Sequence, residues 1–221
     1  MHTFNVSINA LRAARTHTPS KDLRYWLLGV HFDLEAGRIV ATDGHRMFIC
    51  AGPVVPGAGT FIMPNTLVDN VLKALGKRPL QSEVEVQLTT VPFLSIQIKT
   101  EKGTFSSGAI DGRFPDWRGV VPREVSGVAA QYNPDYLAGA REALALYQGF
   151  KADKTAFKVA HNGDSPAVCT TNDNSVVVIV MPIVQSPRMR EVDACDAAGR
   201  AAWAVSMANA EAATAQRTEA T

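Results

Sequence analysis

The feature that most constrains this chain is a change of hydrophobic period that recurs in one order about three times: a short strand, a helix, then three strands. In the first pass, residues 4–6 read as a strand, and Ile8, Leu11 and Ala14 fall at helical spacing behind Ser7 or Asn5 as a cap. Strands are then expected at residues 25–32, 38–42 and 45–51. Asp43-Gly44 marks a tight hairpin, because such turns need a positive φ that glycine adopts without a Cβ clash. The second pass begins at residues 60–63 and continues into a helix whose stripe is Leu67, Val68, Val71, Leu72 and Leu75, with Asn65 as its cap. Val84, Val86 and Leu88, then Leu94, Ile96 and Ile98, alternate with polar residues, so those strands have one wet face; a third strand is expected at 103–110. The third pass runs from a strand at 128–132 through a helix with Tyr136, Leu137, Ala140, Leu144 and Tyr147 to strands near 156–161, 167–171 and 175–181.

The pattern defines an α+β protein of about three strand-helix-three-strand units, with helices on one face of antiparallel sheets. The expected division is residues 1–122 as a two-unit domain, 123–185 as a single unit and 186–221 as a tail. The tail is Ala-rich after Pro182 and Ser186-Pro187, and Trp203, Val205 and Met207 give it only a weak amphipathic face. Composition excludes several classes. With 46% hydrophobic residues in 221, the chain can bury a real core, yet no stretch approaches the roughly 20 apolar residues of a membrane span. Its start lacks the layout of a signal peptide, which predicts a cytoplasmic protein with no membrane contact. Cys50, Cys169 and Cys195 have no paired spacing, so neither a disulfide framework nor a metal site is implied, and no cofactor motif is present. A net charge of +1 predicts no wide basic face.

Four segments in order carry a resemblance: Leu23-Arg24-Tyr25-Trp26-Leu27-Leu28-Gly29-Val30, Ala41-Thr42-Asp43-Gly44-His45-Arg46-Met47, Asp111-Gly112-Arg113-Phe114-Pro115-Asp116-Trp117, and Val178-Ile179-Val180-Met181-Pro182-Ile183. Tyr132-Asn133-Pro134-Asp135-Tyr136-Leu137 adds a fifth. Together they resemble the bacterial sliding clamp, the beta subunit of DNA polymerase III, over residues 4–183. That family has three domains of two units each. This chain resembles the whole middle domain followed by the second half of the last, a shortened form lacking the first domain and half of the last.

The resemblance implies a non-enzymatic processivity factor for DNA replication that encircles double-stranded DNA without sequence preference. It also implies a hydrophobic groove for peptides of polymerase, loader or repair proteins. The groove positions would be Leu27, Thr42, Gly44, His45, Arg46, Met47, Pro122, Asn133, Tyr136, Ile179, Met181, Pro182 and Ile183. Physically, Met and Ile give an adaptable apolar floor, Gly44 admits a close backbone, and Arg46 and Asn133 can bond a peptide main chain. DNA contacts are expected from Arg12, Arg15, Lys73, Lys77 and Arg141 on the helices, and from Arg24 and Tyr25 near the channel rim.

Three units cannot close a twelve-unit ring alone, whereas four copies can. Head-to-tail closure would put the third unit out of phase. The expectation is therefore a dihedral tetramer in which third units pair as a composite domain and first units meet at between-domain edges. The competing binding function is a decoy or adaptor, of the kind a phage or mobile element would use, that takes clamp-binding peptides without encircling DNA. The enzymatic alternative rests on His45 beside Asp43, residues around a turn that need not face each other.

Overall fold

The computed structural model describes residues 1–90, 93–172 and 174–184. The Ala-rich tail, with Cys195, Trp203, Val205 and Met207, lies outside the described residues. Met1–Ile183 pack as one body.

The chain runs β1 (His2–Ser7), α1 (Ile8–Arg15), a 3-10 turn (Tyr25–Leu27), β2 (Gly29–Asp33), β3 (Arg38–Thr42) and β4 (Arg46–Ala51). It continues with β5 (Thr60–Pro64), α2 (Asn65–Leu75), β6 (Glu83–Thr89), β7 (Ser95–Thr100) and β8 (Gly103–Gly108). The last part is α3 (Pro134–Gln148), a 3-10 turn (Ala152–Lys154), β9 (Lys158–Ala160), β10 (Ala167–Thr170) and β11 (Val176–Val180). The helix ends are locally determined. The Ser7 hydroxyl accepts from Ala10 N–H, Asn133 Oδ1 accepts from Asp135 N–H, and Gly149 closes α3 at a φ of 74°.

Two antiparallel sheets result, ordered β1-β6-β7-β8 and β5-β2-β3-β4-β11-β10-β9. The strand that opens each of the first two units lies on the other unit's sheet: β1 pairs with β6, and β5 with β2. The last strands of units one and three, β4 and β11, pair antiparallel and join the two into one seven-stranded sheet. The three helices form the inner layer, with α1 packed against both α2 and α3. Beneath them lies a core that includes Leu11, Phe32, Phe48, Val71, Leu88, Ile98, Leu144 and Val178.

The larger sheet is covered on both faces. A second apolar cluster of Leu27, Val40, Met47, Ile49, Ile62, Phe114 and Ile179 sits on its outer side under the segment that follows β8. This explains the near-continuous apolar runs of β3, β4 and β11, against the clean alternation of β6 and β7, whose outward side chains are more exposed.

Four local expectations are corrected. Residues 25–27 form a 3-10 turn instead of extending β2. Asn65 is the first residue of α2 instead of its cap, and its Nδ2 donates to Pro19 O at 3.0 Å. Residues 128–132 form no strand. First units cannot meet at between-domain edges, because β4 is occupied by β11; the corresponding edge with no neighbour among the described residues is β8 of the second unit.

Candidate functional site: an apolar cleft at the β4–β11 junction

The hairpin between β3 and β4 supplies one wall. Its two turning residues are Gly44, at a φ of 94°, and His45. The Asp43 carboxylate organises the turn by accepting from the N–H groups of His45 and Arg46, both at 2.8 Å, and from the Arg46 guanidinium at 3.0 and 2.9 Å. Burial pushes the Asp43 carboxyl up, but these hydrogen bonds and the Arg46 charge outweigh it and hold it below the usual carboxylate range. Thr42 Oγ1 donates to Arg46 O at 2.7 Å and accepts from Gly44 N–H. The turn is therefore fixed before any ligand arrives.

The far end of the chain holds this turn from the other side. Met181 N–H donates to His45 O at 2.9 Å. The His45 ring stacks on Tyr136 of α3 with centroids 5.4 Å apart, and the Arg46 guanidinium lies 5.5 Å from the centre of the same ring. Gly139, one turn further along α3, leaves room for Arg46; a Cβ there would collide with its guanidinium.

Between these elements lies a cleft of about 190 Å³. Leu27, Thr42, Gly44, His45, Arg46, Met47, Ile179 and Met181, all expected from the sequence, line it. Leu27, Met47 and Ile179 are buried and form the apolar floor. Arg24, Phe114, Pro115, Asp116, Trp117 and Val120 complete the lining. Of the other expected positions, Tyr136 sits beside the cleft on His45, and Asn133 caps α3. Pro122 and Pro182 are half-buried off the lining, and Ile183 is exposed, its N–H donating to Gln131 O at 2.8 Å.

The segment after β8 reaches the cleft because it is pinned to the outer face of the sheet. Phe114 stacks on His31 with ring centroids 4.4 Å apart. Arg118 donates to Asp33 at 2.6 Å and lies over the Trp117 ring at 4.5 Å. The sequence signal for these residues was the Phe-Pro-Asp-Trp block, which reads equally well as a connector. Arg24, expected at DNA, is turned toward the cleft by bonds to the Asp22 carboxylate and to Asp43 O. A broader open groove of about 1310 Å³ lies on the other side of Phe114 and Trp117, lined by Tyr25, His31 and Asp33 among others. It is larger, but none of the thirteen expected groove residues lines it.

The positions expected at DNA divide into two sets. Arg15 is held by Asp69 of α2 at 2.7 and 2.9 Å, and Arg12 donates to Gly76 O at the end of that helix. Lys73, Lys77 and Arg141 are exposed, as is Tyr25. Among the described residues, no group of His, Cys, Asp or Glu could hold a metal ion, and no helix is long and apolar enough to cross a membrane. Cys50 and Cys169 are free and buried, and burial pushes both thiols up to about 12.

Helices inside, antiparallel sheets outside, lead strands exchanged between units and a cleft at a sheet junction define a DNA-clamp fold. The family model for the DNA polymerase III beta subunit, central domain, matches residues 3–116, just over half of the chain. The chain belongs to the DNA polymerase III beta subunit, or sliding-clamp, family. The beta sliding clamp of Salmonella typhimurium is 34% identical over 111 residues, which are 47% of this chain and 28% of that protein. That of Escherichia coli K12 is 33% identical over 129 residues, 55% of this chain and 32% of that protein. The match thus spans about a third of the length of these relatives. The Caulobacter crescentus pol III beta structure aligns with a TM-score of 0.61 at 18% identity, covering 84% of this chain and 66% of that one.

Proposed function

We propose that this chain is a clamp-type processivity factor that presents the β4–β11 cleft to short linear peptides of replication proteins and encircles DNA as an oligomer. The observation that carries the reading is the cleft itself. Residues from both ends of the chain, Leu27 and Met47 on one side and Ile179 and Met181 on the other, converge on an apolar floor beside a rigid turn. The thioethers adapt to different apolar side chains, and each buried Leu or Phe anchor contributes about 1.5 to 3 kcal/mol. Two or three anchors, less the cost of ordering a peptide, give affinities of micromolar order, suited to partners that exchange. Pro122, Asn133, Tyr136, Pro182 and Ile183 would receive the flanking residues of a longer peptide.

Enclosure needs more than one copy. Four chains would supply the twelve units of a ring, with β8 edges and half-units as the two kinds of joint. In that ring the helices face the duplex, so among the described residues Lys73, Lys77 and Arg141 would be exposed cations on the inner layer and Arg12, bonded to the Gly76 carbonyl, would keep its charge, while Arg15 is neutralised by Asp69. This thin supply of charge favours the second reading, an adaptor or decoy that takes the same peptides without holding DNA. The deciding experiment has two arms. Anisotropy of a labelled peptide with two apolar anchors reports the cleft, and retention on nicked circular but not linear DNA reports enclosure. Peptide binding without retention selects the adaptor, and loss of both removes the clamp reading.

A further inference from the structure

The first two units follow a rule that the third cannot follow alone. Each opening strand leaves its own sheet and pairs with the first of the other unit's three strands, β1 on β6 and β5 on β2. The third unit has no companion among the described residues. Its opening segment, residues 128–132, accordingly forms no strand, and β9, the strand on which a companion's opening segment would lie, ends the seven-stranded sheet with no neighbour among the described residues.

The backbone pattern says which groups of β9 are available. The outward side of this strand is marked by His161 O, which accepts from Gly127 N–H, and by Gly163 N–H, which donates to Val128 O. Backbone polarity alternates along a strand, so Val159 presents its N–H and C=O to the same open edge. The opening segment bonds at these two points to the turn that follows its own β9, sets the Tyr132 ring beside His161 with centroids 5.7 Å apart, then crosses to Ile183 through Gln131 O. It carries Val128, which is 59% exposed, while Val125 just before it is 44% and Phe150 past the end of α3 is 64% exposed. His161 keeps a buried Nδ1 with no hydrogen-bond partner among the described residues. An open edge and a segment that belongs to no ladder lie on one unit, so a two-fold axis satisfies both at once.

We infer that two copies of this chain exchange residues 128–132, each segment adding antiparallel to β9 of the other, so that two half-units build one complete domain across a two-fold axis. The inference rests on the clamp reading for its purpose but not for its geometry. The segment and the edge it meets both lie between β8 and β11.

Two variants strike the contact from opposite sides. Val159→Pro removes the outward N–H of β9, and Ala130→Pro removes a donor from the incoming segment. Light scattering on the full chain at about 50 to 100 µM should give wild type an even multiple of 23.8 kDa, and each variant half that mass with unchanged far-UV circular dichroism. If one proline unfolds the chain, the other still reads the joint. A monomeric wild type, or a mass unchanged in both variants, overturns the exchange. Peptide binding separates the two ideas: the cleft lies within one chain, so both variants should keep wild-type peptide affinity. A protein whose mass halves on substitution but that neither binds peptide nor is retained on circular DNA would leave the exchange standing and remove the clamp reading.

Discussion

The two-unit part and the half-unit of this molecule are written in the same pattern but end in different states. In the first, β1 and β5 change places between sheets, and each opening strand has a ladder along its whole length on one side. In the second, the corresponding segment forms no strand, and its sheet closes on the three residues of β9. The same local sequence plan gives a strand only where another sheet offers an edge. A β-strand is half of a contact, and its partner decides whether it forms.

The comparison breaks most directly at the core. Phe32→Ala in the two-unit part should cost about 3 to 5 kcal/mol, and Leu144→Ala in α3 about 2 to 5, both seen as a shift of one common urea midpoint. The two parts share the β4·β11 ladder and the α1·α3 packing, so a separate transition for the half-unit, by circular dichroism against tryptophan fluorescence, would show them to be independent. Acid should act next, and through the two-unit part. Burial, with the Arg46 charge adding, pushes His17 down to about 3, and burial pushes His31 down to about 4. Both rings are neutral when folded, and their unfolded forms protonate near 6.5. Their stabilisation is therefore complete above pH 6.5 and is lost as the pH falls from there toward 4, by up to about 1.4 kcal/mol per pH unit for each ring. His17→Phe should flatten that slope in urea titrations across the same window; an unchanged slope would place the acid sensitivity elsewhere.

At the seam between the two parts, Met181→Ala should weaken an anchor peptide about tenfold, or about 1.4 kcal/mol, without a matching loss of affinity from an outer-groove change such as Tyr25→Ala. Gly139→Ala should weaken the same peptide by displacing Arg46 from Tyr136, which anisotropy would register as a smaller loss. The smallest stability effect is expected for Asp69→Asn. A partly exposed pair contributes about 0 to 1 kcal/mol, but its removal frees Arg15, so DNA retention should rise and its salt dependence steepen.

Much of this fold is legible in the sequence because its signals are short-range. Alternation in β6 and β7, the Ser7 cap and the positive φ at Gly44 each involve neighbours along the chain. The misreadings share a cause. Residues 25–27 continue an apolar run into β2 but are wound into a 3-10 turn that places Leu27 in the cleft floor, and Asn65 reads as a cap but is taken by Pro19 O from 46 residues away. At the cleft, seven of the eight lining residues foreseen lie on strands, in the β3–β4 turn or just past a strand end, and Leu27 lies in the 3-10 turn. Most of those missed belong to the segment after β8, whose course is set by Phe114 on His31 and Arg118 on Asp33.

The sequence alone determined the three-fold recurrence of one unit, the α+β class, the resemblance to sliding clamps and the turn that carries Gly44. These depend on periodicity and on residues a few positions apart. Only the tertiary structure decided that β1 and β5 exchange sheets, that β4 is sealed by β11, and that the opening segment of the third unit is left without a sheet. Those outcomes are set by backbone hydrogen bonds between segments far apart in the chain. A strand's side chains state which face it buries, but its N–H and C=O groups are the same in every residue but proline and do not name the edge they will meet.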